Sequence, residues 1–240
     1  MPAPVSAPPV FLFDVDSTLI TVEALDLLYE MHGGDVAEFQ AVTNAGMEGT
    51  LDSAESLRIR LSMFPNGGPD PDTLPALVQK LVQNISPSIA RNPETFAKIA
   101  PRVCLISGGF HEWIDPLAEH LGISTSRVWA HRFIPVKTVS QGPRRLRLAL
   151  NTPMARGGKR EAVRSGMHSG AIPSDGPRWI IGDGATDLEL RTSGMAHRFV
   201  GWAETVSRQA VLRHADHVVH SFDHLLDLAQ NPGLEPSTSL

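Results

Sequence analysis

The sequence is short of cysteine, of excess positive charge and of long apolar runs, and each shortage removes a class of protein. Its single cysteine, Cys104, cannot close an internal disulfide, so the fold needs no oxidising compartment and suits a reducing cytoplasm. Cys104 lies in the apolar run Val103 to Ile106 and reads as core. A formal charge of −5 supplies no broad positive field for a nucleic-acid backbone or an anionic membrane. No stretch approaches the length of a membrane span, and the start, MPAPVSAPPV, lacks a basic segment followed by an apolar one. No internal repeat is found. The expectation is a soluble cytoplasmic protein without nucleic acid or membrane as partner.

What is present suits a globular α/β chain: 240 residues, 42% hydrophobic and 20% charged, enough to bury a sizeable core. Short continuous apolar runs at Val10–Val15, Val103–Ser107, Trp179–Gly182 and Arg198–Val200 read as strands buried on both faces. Each is followed by polar or glycine-rich residues and then a helical pattern. That alternation predicts a Rossmann-like open parallel sheet.

Between the first two strands the apolar residues fall at helical spacing: Ala24, Leu27, Leu28 and Met31; Leu57, Leu61 and Phe64; Leu74, Leu77, Val78, Leu81 and Val82. The connection is longer than one crossover helix requires, so residues 22–86 are expected to form an inserted small helical cap. Residues 9–21 and 87–231 would then form the core, with 1–8 and 232–240 as mobile, Pro- and Ser-rich tails. A hairpin is expected over Arg132–Leu150, turning at Gln141, Gly142 and Pro143. Arg144, Arg145 and Arg147 alternate with leucines and read as a solvated strand face.

Four polar clusters interrupt this pattern. Phe13–Thr18 reads FDVDST, placing Asp14 and Asp16 where a buried strand runs out, the end at which open α/β sheets gather ligands. Ser107–Phe110 reads SGGF, a hydroxyl with two side-chain-free residues that let backbone N–H groups approach an anion. A helix starting near His111 would add its N-terminal dipole. Gly157–Lys159 reads GGK. Gly182–Asp187 reads GDGATD, where a third strand end carries Asp183 and Asp187, oxygen donors of the kind Mg²⁺ prefers.

In this order DVDST, SGGF, GGK and GDGATD resemble the four motifs of haloacid dehalogenase-type phosphatases, over residues 10 to 226. ISGGF and IGDGATD look particularly like those of phosphoserine phosphatases. The resemblance implies a phosphomonoesterase in which Asp14 attacks phosphorus and Asp16 protonates the leaving alkoxide, then activates water. It also implies Mg²⁺ held by Asp14, the backbone carbonyl of Asp16, and Asp183. Lys159, Ser107, Gly108 and Gly109 would bind the phosphoryl oxygens, with Asp187 orienting Lys159 or the metal shell. In related ion-pumping ATPases the position of Asp16 is threonine, so an aspartate here favours hydrolysis.

The same resemblance aligns Glu23 with the glutamate that receives a substrate ammonium and Arg60 with the arginine that grips its carboxylate. Met47, Thr186 and Arg208 match further substrate-side positions. A small phosphorylated substrate follows, O-phosphoserine first, in serine biosynthesis. Ser53 stands where relatives often carry phenylalanine, and Glu48 where glycine or arginine is usual, so a neighbouring ester such as phosphoethanolamine stays open. A non-catalytic sensor of a phosphorylated ligand is a third possibility on the same fold. His214, His217 and His220 lack a pattern for zinc and read as surface. The sequence is silent on oligomeric state.

Overall fold

Val10 and Phe11 start a run that no polar side chain interrupts before Asp14, which suits a central strand covered on both faces. The computed structural model describes residues 8–136 and 145–231. Strand β1 (Val10–Phe13) leads to helices α1 (Ala24–Met31), α2 (Val36–Glu48), α3 (Ser53–Met63) and α4 (Leu74–Gln83), then the short α5 (Pro87–Ala90) and α6 (Pro93–Ile99). Next come β2 (Val103–Phe110), α7 (His111–His120), β3 (Val128–His131), β4 (Phe133–Val136) and β5 (Arg145–Leu148). The chain continues as α8 (Pro153–His168), β6 (Arg178–Gly182), α9 (Ala185–Thr192), β7 (Arg198–Trp202), α10 (Gln209–Leu212), β8 (His217–Val219) and α11 (Phe222–Gln230).

Six strands form one sheet in the order β3-β2-β1-β6-β7-β8, and every neighbouring pair is parallel. β4 and β5 pair separately as an antiparallel ribbon. Alternation along β1 divides the core: Phe11 and Phe13 face a cluster that takes in α1, α4, α7 and α11. Leu12 faces a second cluster with Ala162 and Val163 of α8 and Leu190 of α9. Burying one such side chain contributes about 1.5–3 kcal/mol. Cys104 belongs to the second cluster, as the apolar run around it predicts.

From β1 the chain first adds β2 and β3 on one side, then crosses to β6 on the other. This reversal puts a crevice at the carboxyl ends of β1, β2 and β6, where ligands bind in open α/β sheets. The helices α1–α4 leave and return at neighbouring points. Ile20 and Ile85 form an antiparallel bridge, Thr21 N donates to Asn84 O at 2.8 Å, and Ser86 N donates to Leu19 O at 2.9 Å.

Several expectations need adjustment. β1 ends at Phe13 rather than Val15, so Asp14 already lies beyond the strand, and β2 runs through SGGF to Phe110. The arginine-rich strand is not uniformly solvated. Arg147 is exposed, but the Arg145 side chain is 12% exposed and lies 3.0 Å from Asp70 Oδ2. Arg144 and the turn Gln141–Gly142–Pro143 fall outside the described residues, as do 1–7 and 232–240. Among the described residues no helix is long and apolar enough to cross a membrane.

Candidate functional site

The backbone of Asp14 continues the β1 ladder by one bond, Asp14 N donating to Ile181 O at 2.9 Å, which fixes the side chain at the strand end. Its carboxylate is buried; Oδ1 accepts from Val15 N at 2.8 Å, and Oδ2 lies 2.8 Å from Lys159 Nζ. Lys159 reaches it because α8 is broken at Gly157 (φ −169°, ψ 28°) and Gly158 (φ 60°, ψ −156°). Side chains rarely adopt the Gly158 conformation, which accounts for glycine there. Lys159 Nζ also donates to Asp187 Oδ1 at 2.7 Å. Burial works to deprotonate this lysine, but Asp14 and Asp187 outweigh it and hold its pKa above the ordinary lysine range.

Asp187 is fully buried, and its Oδ2 accepts from Gly184 N at 3.1 Å. Gly182 makes room for it. A Cβ at Gly182 would fall 2.2 Å from Asp187 Oδ2, so the first glycine of GDGATD is required by packing. Burial and the nearby Asp14 push the Asp187 carboxyl up, against the pull of Lys159.

Asp16 has a different setting. Its Oδ1 accepts from Ala24 N at 2.7 Å, so it satisfies one of the free N–H groups at the start of α1. Burial is the main force raising its pKa well above the carboxylate range, with Glu23 and Asp14 adding to it and the Ala24 bond opposing. Between them, Ser17 takes a left-handed φ of 56° and donates through Oγ to Glu23 Oε1 at 2.7 Å. The Glu23 carboxyl is itself raised by burial.

Asp183, at the end of β6, accepts from Thr18 Oγ1 at 3.2 Å. Arg208 NH1 approaches its Oδ2 to 2.9 Å, yet off the angle for a hydrogen bond, so both atoms stay buried and unpartnered. Burial chiefly raises the Asp183 pKa well above the carboxylate range, with Glu23 next. Asp14, Asp183 and Asp187 bring carboxylate oxygens within 4.8 Å of one another. Among the described residues this is the one group of three His, Cys, Asp or Glu so arranged. The Asp16 side chain is not part of it, and His214, His217 and His220 form none.

A cavity of about 350 Å³ opens beside these groups, lined by Asp14, Asp16, Lys159, Gly108 and Gly109 and also by Glu23, Met47, Arg60 and Thr186. The structure thus brings together most of the residues singled out from the sequence. Ser107 is fully buried behind the wall and accepts from Gly109 N at 2.9 Å. Asp183, Asp187 and Arg208 are also off the wall. The Arg208 guanidinium lies 2.9 Å from Asp183 and 3.6 Å from Glu23 Oε1, drawn inward by two carboxylates. Glu48 is exposed and absent from the wall, whereas Ser53 lies on it.

Arg60 is held by a buried relay that the sequence did not suggest. Its NH1 donates to Thr43 Oγ1 at 3.3 Å and lies 3.7 Å from Asp26 Oδ1, while Thr43 donates to Asp26 at 2.7 Å. Thr43 and Asp26 occupy inward positions of α2 and α1, a signal that helical periodicity could have given. His131 also lines the cavity and belongs to no motif.

Comparison with known proteins agrees with this geometry. The model of the haloacid dehalogenase-like hydrolases matches residues 11–190. The chain is 33% identical over 216 residues to the chloroplastic phosphoserine phosphatase of Arabidopsis thaliana, spanning 90% of this chain and 70% of that protein. It is 32% identical over 215 residues to phosphoserine phosphatase of Drosophila melanogaster, spanning 89% and 75% respectively. The structure of a phosphoserine phosphohydrolase-like protein from Francisella tularensis superposes with a TM-score of 0.77 at 27% identity, over 92% of this chain and 99% of that one. The chain belongs to the haloacid dehalogenase-like hydrolases, and within them it is a phosphatase related to the phosphoserine phosphatases.

Proposed function

We propose that this enzyme hydrolyses O-phosphoserine to serine and phosphate through an aspartyl-phosphate on Asp14, as a step of serine biosynthesis. The observation that carries the reading is the placement of a buried, lysine-paired Asp14 and an Asp16 whose pKa burial raises on the wall of a cavity that Glu23 and Arg60 also line. A simple phosphate site would need the lysine and backbone N–H groups but not two buried aspartates in such different settings, one paired with Lys159 and one bonded to the start of α1.

In this reading Asp14 attacks phosphorus, the bond to the ester oxygen breaks, and Asp16 gives its proton to the departing serine oxygen. Asp16 then takes a proton from water as that water attacks the aspartyl-phosphate, returning Asp14 as a carboxylate. Lys159 and the N–H groups around Gly108 and Gly109 stabilise negative charge on the transferring oxygens. The pairing of Lys159 with Asp187 supports a positioning role for the latter.

The clustered carboxylates fit Mg²⁺: their donors are hard oxygens, and Asp183 Oδ2 is buried without a hydrogen bond. Asp14, Asp183 and the backbone carbonyl of Asp16 would hold the ion. When bound it offsets the repulsion between an anionic nucleophile and a phosphate dianion.

Residues 22–86 act here as a cap over the core of 9–21 and 87–231, excluding water and presenting Glu23 to the substrate ammonium and Arg60 to its carboxylate. Phosphate release with Mg²⁺ from phosphoserine, phosphothreonine, phosphoethanolamine and p-nitrophenyl phosphate tests the assignment. The expected result is a phosphoserine preference that Asp14→Asn abolishes. Equal turnover of phosphoethanolamine would refute the substrate, and no release from any ester would refute hydrolysis.

A further inference from the structure

The charge around the cavity is mixed. Its wall carries the carboxylates Asp14, Asp16, Glu23, Asp52 and Glu189, and among its basic side chains are Arg60 and His131. His131 ends β3, pairs in register with Phe110, and places its ring 5.6 Å from the Phe110 ring. It is nine-tenths buried, as is Arg60. Both carry a buried nitrogen without a hydrogen-bond partner, Nδ1 of His131 and Nε of Arg60. The charged and titratable groups that bear on His131 are Arg60 from α3 and His111 at the start of α7, both bases. No carboxylate is among them.

Asp26 answers Arg60 only at NH1, 3.7 Å away, and no carboxylate bears on His131, so the two unpartnered nitrogens beside the cavity form a complement to an anionic group on the ligand. Lys159 and the glycine turn that precedes Phe110 already suit the phosphate, and His131, paired with Phe110, stands beside that turn with Arg60 on the same cavity wall. We propose that His131 is a specificity residue that works beside Arg60, donating one N–H from a neutral imidazole to the carboxylate of the bound substrate. This inference rests on the phosphomonoesterase reading above and adds a residue that no motif contains.

Burial first, then Arg60 and His111, push His131 down to about 4, so it enters the encounter neutral at physiological pH. Arg60 supplies the charge and His131 the second direction. A carboxylate has lone pairs enough for both.

The test compares His131→Phe, which keeps a ring and removes the donor, with His131→Asn, which restores a donor. Losing one hydrogen bond to a charged group lowers the ratio of kcat/KM for phosphoserine over phosphoethanolamine roughly tenfold. The loss lies in KM, and Asn recovers most of it. Binding of free serine, but not ethanolamine, shifts the His131 ring resonances and raises its pKa in NMR titration of the wild-type enzyme. A His131→Phe loss shared equally by both esters, or ring resonances indifferent to serine, overturns the proposal while leaving the hydrolytic reading intact. A wild-type enzyme with no carboxylate preference overturns the proposal and the phosphoserine assignment together.

Discussion

Gly182→Ala places a methyl group where Asp187 now lies, 2.2 Å from Oδ2 and 2.3 Å from Cγ. The Asp187 side chain is fully enclosed, so it cannot swing away without losing its bonds to Lys159 Nζ and Gly184 N. Overpacking costs about 1–3 kcal/mol and a lost charge-assisted hydrogen bond about 1.5–3, so the variant is expected to be less stable by about 2.5–6 kcal/mol. For a chain of this size each kcal/mol moves Tm by about 2–4 °C. Urea unfolding measures the difference. The clash involves one pair of residues, and a double-mutant cycle isolates it. In an Asp187→Ala background the two closest contacts, with Oδ2 and Cγ, are gone and only Cβ at 2.9 Å remains, so Gly182→Ala then costs clearly less than in the wild type. The same cost in both backgrounds would refute the claim that this glycine exists to seat Asp187.

His131 gives a pH dependence of stability. Its folded pKa of about 4 lies below the ordinary value near 6.5, so the unfolded chain binds its proton first as pH falls. The contribution is nil above about pH 7, grows as a penalty between about 6.5 and 4, and levels off below at about 3 kcal/mol. Urea midpoints of wild type and His131→Phe should therefore diverge with pH over that window, and parallel curves would contradict it. Gly158→Ala forces a side chain into φ 60°, ψ −156° with nothing within 4 Å to clash. Its cost, about 1–3 kcal/mol, is then backbone strain; crystallography of a variant with an unchanged backbone and no Tm loss would sink this. Arg60→Ala should lower kcat/KM for phosphoserine by about 100-fold or more and for phosphoethanolamine by a few-fold at most, with equal losses counting against the carboxylate assignment.

Residues at strand ends were the most legible in the sequence. Asp14, Ser107 and Asp183 follow or end buried apolar runs, and the sheet geometry alone draws such positions into one crevice. Lys159 was legible through GGK, but its reach to Asp14 depends on two glycine dihedral angles that composition does not encode. β3 and β8, of four and three residues, are too short for periodicity to separate from loops. Arg145 looked like a surface residue because its partner, Asp70, is remote in sequence, and the contact of Arg208 with Asp183 was hidden for the same reason. His131 had no neighbour in sequence to mark it; it became visible once Arg60, 71 positions earlier in the chain, was seen on the same cavity wall.

The central claim is that Asp14 carries the phosphoryl group. Rapid acid quenching of the enzyme turning over phosphoserine with Mg²⁺, followed by peptide mass spectrometry, tests it directly. The account predicts phosphate on the peptide containing Asp14, absent in Asp14→Asn and accumulating in Asp16→Asn, where water is no longer activated. Turnover without any phosphorylated peptide in either active enzyme or Asp16→Asn would contradict it.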